Sequence, residues 1–155
     1  MSFVIRGLDP APFRELYGLP DAALAERQVV RVNADARPGF PCRITLEDAE
    51  PGETLLLLNH EHLAVASPYR SRHAIFVREG AEMAAVYEDA VPEQLAIRLL
   101  SVRSFDAAGM MLDAEVLEGV ALAPQIATML ADDHAAYLHV HNARRGCFAA
   151  RVDRT

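Results

Sequence analysis

No lysine occurs anywhere in the 155 residues, and all 15 basic positions are arginine. With alanine abundant, that bias points to a GC-rich coding genome and carries no mechanism. An excess of basic charge is missing too. Twenty-two acidic residues outweigh the 15 arginines, for a net charge of −7 and a pI near 5.3. A nucleic-acid binder that works by neutralising phosphates is excluded on that ground. No apolar run approaches membrane-spanning length, and Met1–Arg6 lacks the apolar stretch of a signal peptide. A cytoplasmic protein with no membrane partner is expected. Only two cysteines are present, Cys42 and Cys147. In a reducing compartment they are expected as free thiols.

Diagnostic catalytic motifs are also absent: no phosphate-binding G-x-x-x-x-G-K-[ST], no G-x-G-x-x-G, no H-E-x-x-H and no G-x-S-x-G. His60-Glu61-His62 is too short for a helical zinc site. The acidic pairs Glu47-Asp48 and Asp132-Asp133 read as loop and helix-end charges. There is no repeat of solenoid period and no low-complexity tract. With 52% apolar and 24% charged residues, the chain reads as one globular domain spanning 1–155.

What is present is a succession of short alternating runs separated by turn signals. The clearest runs from Tyr137 to Val152, where two alternating segments flank Arg144-Arg145-Gly146. A three-residue loop with Gly146 in the left-handed position predicts a hairpin pairing Asn142 with Phe148, Val140 with Ala150 and Leu138 with Val152. That register places His139, His141 and Cys147 together on the opposite face. A second hairpin is predicted around Asp106-Ala107-Ala108-Gly109, pairing Arg103 with Asp113, Leu100 with Val116 and Val102 with Ala114. Leu95–Phe105 and Met110–Leu117 are its strands.

Earlier in the chain, Phe3–Arg6, Gln28–Ala34, Pro41–Leu46 and His73–Arg78 read as strands. In Pro41–Leu46 the side chains of Cys42, Ile44 and Leu46 are expected on the inner face. Thr54–Leu63 carries four consecutive leucines, which buries both faces and marks a central strand. Its polar end sends His60 and His62 out on the side of Leu56 and Leu58. Short helices are expected, one opened by Asp9-Pro10-Ala11-Pro12 with Phe13, Leu16 and Tyr17 inward, and one over Pro20–Arg27 around Leu24. Ala81–Ala90 reads as a helical turn or two. A helix from Ala123-Pro124 to about Asp132 buries Leu122, Ile126, Met129 and Leu130. The fold class is α+β: largely antiparallel sheets, a C-terminal β-hairpin and a few short helices packed on one face.

Several segments, taken in order, resemble a bacterial family catalogued as domain of unknown function 1203. They are Arg6-Gly7-Leu8-Asp9, Pro38-Gly39-Phe40-Pro41-Cys42-Arg43, Glu50-Pro51-Gly52-Glu53, Leu57-Leu58-Asn59-His60, Pro68-Tyr69, Ile75-Phe76-Val77-Arg78-Glu79-Gly80 and His141-Asn142-Ala143-Arg144-Arg145-Gly146-Cys147-Phe148. The resemblance implies a small single-domain bacterial protein and assigns no reaction, cofactor or catalytic residue.

Three functional readings follow from the residues. A pocket for a small anionic ligand is expected around Asn59, His60, Tyr69, Arg70 and Arg145, because arginine grips carboxylate or phosphate at two points. A metal-dependent enzyme is the alternative. His60-x-His62 and His139-x-His141 each project two imidazoles from one strand face, a ligand set suited to zinc, iron or nickel. Rings of His62 and His139 more than about 10 Å apart would exclude one shared ion, since ligand bonds to zinc span about 2 Å. Cys147, within reach of His139 or His141 and with Arg144 and Arg145 nearby, is the candidate nucleophile. An interaction module, with a homodimer left open, needs none of these groups.

Overall fold

The computed structural model describes residues 2–155. Its strands are β1 (Phe3–Arg6), β2 (Val30–Asn33), β3 (Thr54–Leu63), β4 (Ser71–Arg78), β5 (Val86–Glu88), β6 (Leu99–Phe105), β7 (Met111–Glu118), β8 (Tyr137–Asn142) and β9 (Phe148–Arg154). The helices are α1 (Asp21–Glu26), α2 (Glu93–Ala96) and α3 (Leu122–Leu130), with 3-10 turns at Ala11–Leu16 and Gly119–Ala121. A six-stranded sheet runs in the order β5-β1-β9-β8-β6-β7, and a three-stranded sheet in the order β2-β3-β4. Every strand pair is antiparallel. The class is α+β, with the expected C-terminal hairpin. Among the described residues no helix is long and apolar enough to cross a membrane.

Each sheet has its own apolar layer. Leu122, Ile126, Met129 and Leu130 recur at helical spacing along α3 and pack on Leu100, Val102, Leu138, Val140 and Val152 of the larger sheet. Each such side chain contributes about 2 kcal/mol by leaving water. In the smaller sheet Leu56, Leu58, Ile75 and Val77 are covered by Phe13, Leu16 and Leu24. Leu55 turns the other way, to Ala34 and Ala49 with Phe40 and Phe76 beside it. The leucine run of β3 is therefore covered on both sides, and β3 is the centre of its sheet.

Both predicted hairpins form, each with a correction to its register. In the last one Gly146 adopts φ +78°, as the turn requires. Leu138 faces Val152 and Val140 faces Ala150, but His141, not Asn142, faces Phe148. The loop is one residue longer than expected: Asn142 N–H donates to Cys147 O (2.9 Å) and Gly146 N–H to Asn142 O (2.7 Å). A β-bulge at Ala149 absorbs the extra residue, and Ala149 and Ala150 both enter the α3-side core. Two small side chains in succession can share one face across such a bulge.

The β6–β7 hairpin keeps its turn, with Gly109 at φ +79° and Asp106 N–H donating to Met110 O. A bulge at Leu112 then shifts the ladder, so Arg103 faces Ala114, Leu100 faces Leu117 and Val102 faces Glu115.

Three other expectations are corrected. Pro41–Leu46 is a compact turn and no strand. The Cys42 sulfur accepts from the N–H of Ile44, Thr45 and Arg78, and Leu46 sits at φ +54°. Cys42, Ile44 and Leu46 are nonetheless all buried. The segment Ala81–Ala90 contains strand β5, recruited by the free edge of β1. Leu95 belongs to α2, and β6 starts only at Leu99.

Candidate metal centre

Alternation along β8 sends Leu138 and Val140 to the α3 layer and Tyr137, His139 and His141 to the opposite face. There the larger sheet meets the polar end of β3, which delivers His62. One ligand atom from each of His62, His139 and His141 lies within 4.8 Å of the other two. Ring centroids are 5.9 Å apart for His62 and His139, 4.9 Å for His62 and His141, and 6.4 Å for His139 and His141. The His62–His139 separation is well inside the limit for a shared ion.

Phe148 forms the wall of the cluster. Its ring stacks on His62 at 5.2 Å with 7° between planes, and it meets His139 at 5.0 Å and His141 at 5.9 Å. Phe105 and Tyr137 enclose His139 from the other side. His139 and His141 are each 2% exposed, and His62 is half-buried.

Burial disfavours the imidazolium in all three, and the neighbouring cationic forms add to it. His62 is held down to about 4, by burial first and then by His60 and Arg103. His139 is held down to about 3, by burial and then by His141 and His62. His141 is held down to about 3 by burial, against the opposing effect of its bond to Gly146. Neutral imidazoles carry the lone pairs that metals bind.

The hydrogen bonding separates the nitrogens. His141 Nδ1 lies 2.9 Å from Gly146 O. A carbonyl only accepts, so Nδ1 carries the proton and Nε2 is left as the electron-pair donor. His62 Nδ1 and His139 Nδ1 are buried with no partner at all. Buried polar atoms are satisfied in the great majority of cases, so two orphans in one cluster call for an explanation. Among the described residues no carboxylate joins the three rings. Glu61, between the histidines of β3, turns away to Arg70 and Arg72.

The remaining sequence candidates scatter. His60 stays outside the triad, its ring 6.0 Å from Phe13 and 6.3 Å from Phe148. Burial and then Arg72 lower its proton affinity. Asn59 accepts from Arg72 Nε, Arg70 pairs with Glu61, and Tyr69 lies edge-on to Phe105. None of Asn59, His60, Tyr69 and Arg70 lines either of the two described cavities; alternation on β3 puts Asn59 and His60 on opposite faces, and Arg70 is taken up by its neighbour Glu61. Arg145 sits apart, on the hairpin tip.

Cys147 also leaves the histidine face, contrary to the three-residue-loop register. The longer loop puts it beside Asn142, where it receives Arg43 Nη2 at 3.0 Å and Asn142 Nδ2 at 3.6 Å. His141 is thus not placed to act as its base. Sequence reasoning missed Phe148, assigned to the apolar side, and Arg43. The only signal for Arg43 was its place in the Pro38–Arg43 segment.

Fold and cluster together define an α+β protein with a three-histidine cluster enclosed where two antiparallel sheets meet. Residues 39–154 match the family model described as protein of unknown function (DUF1203), and the chain belongs to that family. The matched span contains all three histidines, together with Arg43 and Cys147. Neither the curated proteins nor the solved structures include a significant match to the chain.

Proposed function

We propose that this protein binds one first-row divalent transition ion, zinc in the first instance, through His62, His139 and His141. The observation that carries the reading is the convergence of three ligand atoms within 4.8 Å, drawn from two different sheets. The two orphaned Nδ1 atoms support it, since a metal satisfies a buried lone pair that has no donor. The Gly146 carbonyl on His141 supports it as well, being the outer-shell partner that ligating histidines ordinarily have. An all-imidazole set suits zinc, copper, iron or nickel, and disfavours calcium and magnesium, which take oxygen ligands. Three protein ligands leave a fourth position for water or a substrate oxygen, the composition of a catalytic zinc site rather than a closed structural one. A reducing compartment belongs to the same reading, supported by two free, buried thiols.

The test is metal content of untagged protein, measured by mass spectrometry beside His62→Ala, His139→Ala and the surface control His134→Ala. One ion per chain is expected in the parent and in His134→Ala, with loss in the other two. Because His139 is buried, circular dichroism accompanies each variant, and the half-buried His62 provides the substitution that leaves the core intact. Equal traces in all four proteins, and no thermal shift of the parent on adding zinc, would remove the reading.

A further inference from the structure

Cys147 and Asn142 face away from the histidines, into a separate cavity of about 520 Å³ between the hairpin tip, β4 and the start of β6. That volume is in the range of small-molecule sites. Four arginines contribute to its wall, Arg43, Arg98, Arg144 and Arg145, against a single carboxylate, Glu118. In a chain of net charge −7 this is a local reversal of sign.

Arg43 is the unusual member. It is 1% exposed, yet no carboxylate is among its partners. Nε donates to Phe148 O (2.8 Å), Nη1 to Pro41 O (2.6 Å) and Nη2 to Cys147 Sγ (3.0 Å). A guanidinium does not shed its proton in a protein, so the charge stays and desolvation weighs on it. Arg98 next door is neutralised by Asp48 through bonds of 2.6 and 2.9 Å. Arg43 has no such partner. Arg144 and Arg145 are exposed at the rim. Asn142 Oδ1 in the same wall is enclosed without a donor. Leu57 and Phe76 provide an apolar side.

We propose that this cavity binds a small organic oxyanion, a carboxylate or phosphate, held between the Arg43 guanidinium and the Arg144–Arg145 tip, with the Cys147 sulfur beside it. The buried cation supplies the fixed charge, and the rim arginines supply fork-shaped donors that close over the anion. The apolar side accommodates a carbon body, and Asn142 Oδ1 accepts from a hydroxyl on the ligand. This site is independent of the metal reading. It uses none of the three histidines.

Cys147 provides the readout. Iodoacetate and iodoacetamide alkylate a thiol by the same displacement: a sulfur–carbon bond forms, the carbon–iodine bond breaks and iodide leaves. They differ in charge. Relative to a neutral small-molecule thiol, Cys147 is expected to favour iodoacetate by roughly tenfold or more, the concentrating effect of a cleft lined by one sign of charge. Peptide mapping separates it from Cys42, which is 0% exposed. The preference is expected to fall at least severalfold in Arg144→Ala/Arg145→Ala, whose sites are exposed, and inorganic phosphate is expected to protect Cys147 saturably. A ratio equal to that of the free thiol, or one unchanged in the double variant, overturns the proposal. Should Cys147 react with neither reagent, calorimetric titration decides. Saturable phosphate or citrate binding that is weakened in the double variant upholds the site, and no binding of either overturns it.

Discussion

Lowering the pH should destabilise the metal-free protein well before its carboxylates titrate. Unfolded, each imidazole takes up a proton near its ordinary value of 6.5. Folded, His139 and His141 resist until about 3 and His62 until about 4. Between those values the unfolded chain binds more protons than the native one. Stability is therefore full above about pH 6.5, falls as the pH is lowered through the window, and levels off below the folded values. At pH 5 each fully buried imidazole accounts for about 2 kcal/mol, and His139 with His141 for about 4 kcal/mol at most, at 1.36 kcal/mol per pH unit. His60 and His62 add in the same direction. The assay is urea unfolding of chelator-treated protein at pH 7.5 and pH 5, an interval in which ordinary carboxylates stay ionised. Proton NMR of the imidazole ring hydrogens supplies the site assignment. A loss below about 1 kcal/mol, or a His139 or His141 resonance titrating near pH 6.5, would refute the enclosed, neutral cluster. Added zinc should deepen the acid dependence, since protons must then displace the ion.

Elsewhere, Glu79 accepts from Arg31 Nε and Nη2, Gly18 N–H and Thr54 Oγ1, which holds its carboxyl down to about 2. Its contribution is present above its ordinary value of 4.5 and lost as the pH falls through about 2. Glu79→Gln should cost about 2 kcal/mol at neutral pH and flatten that acid limb in chemical unfolding. Gly7→Ala should cost about 3 kcal/mol or more, because a Cβ there would lie 1.9 Å from Ile44 O on the backbone. Gly18→Ala meets nothing within 4 Å and should cost only about 1 kcal/mol, from its φ of +74°. A calorimetric comparison of the two checks the ordering. Ile126→Ala, at 0% exposure on the buried face of α3, should lose about 2–5 kcal/mol, whereas Val120→Ala, at 81% exposure, should leave the melting temperature almost unchanged.

The elements that were legible in the chain are those written in local chemistry. The apolar spacing of α3, the leucine run of β3 and the left-handed glycines of both hairpins all act within a few residues of themselves. The misreadings arise where a distant partner decides. The bulges at Ala149 and Leu112 keep two ladders in register with neighbours that alternation cannot see, and the first of them carries Phe148 to the histidines. β5 is a strand because β1 offers it an edge, and its 3 residues are too few to announce it by alternation. Pairs of histidines at spacing two were visible on β3 and β8. That His62 but not His60 joins His139 and His141 follows from how the two sheets meet. Arg43 was invisible as a buried cation, since its partners Phe148 and Cys147 lie more than a hundred positions away.

Gly146 gives the hairpin tip an uneven tolerance to change. The space around its missing side chain is open, with nothing within 4 Å of where a Cβ would stand. Packing would therefore not register a substitution there. The carbonyl of that same residue assigns the proton on His141, so a shift of the peptide would be felt at a buried ring. An inspection of contacts would class the position as an indifferent surface turn, while its backbone sets the tautomer of a ring in the interior. Drift in the side chains of Arg144 and Arg145 and drift in the path of the chain beneath them are, for that reason, different events.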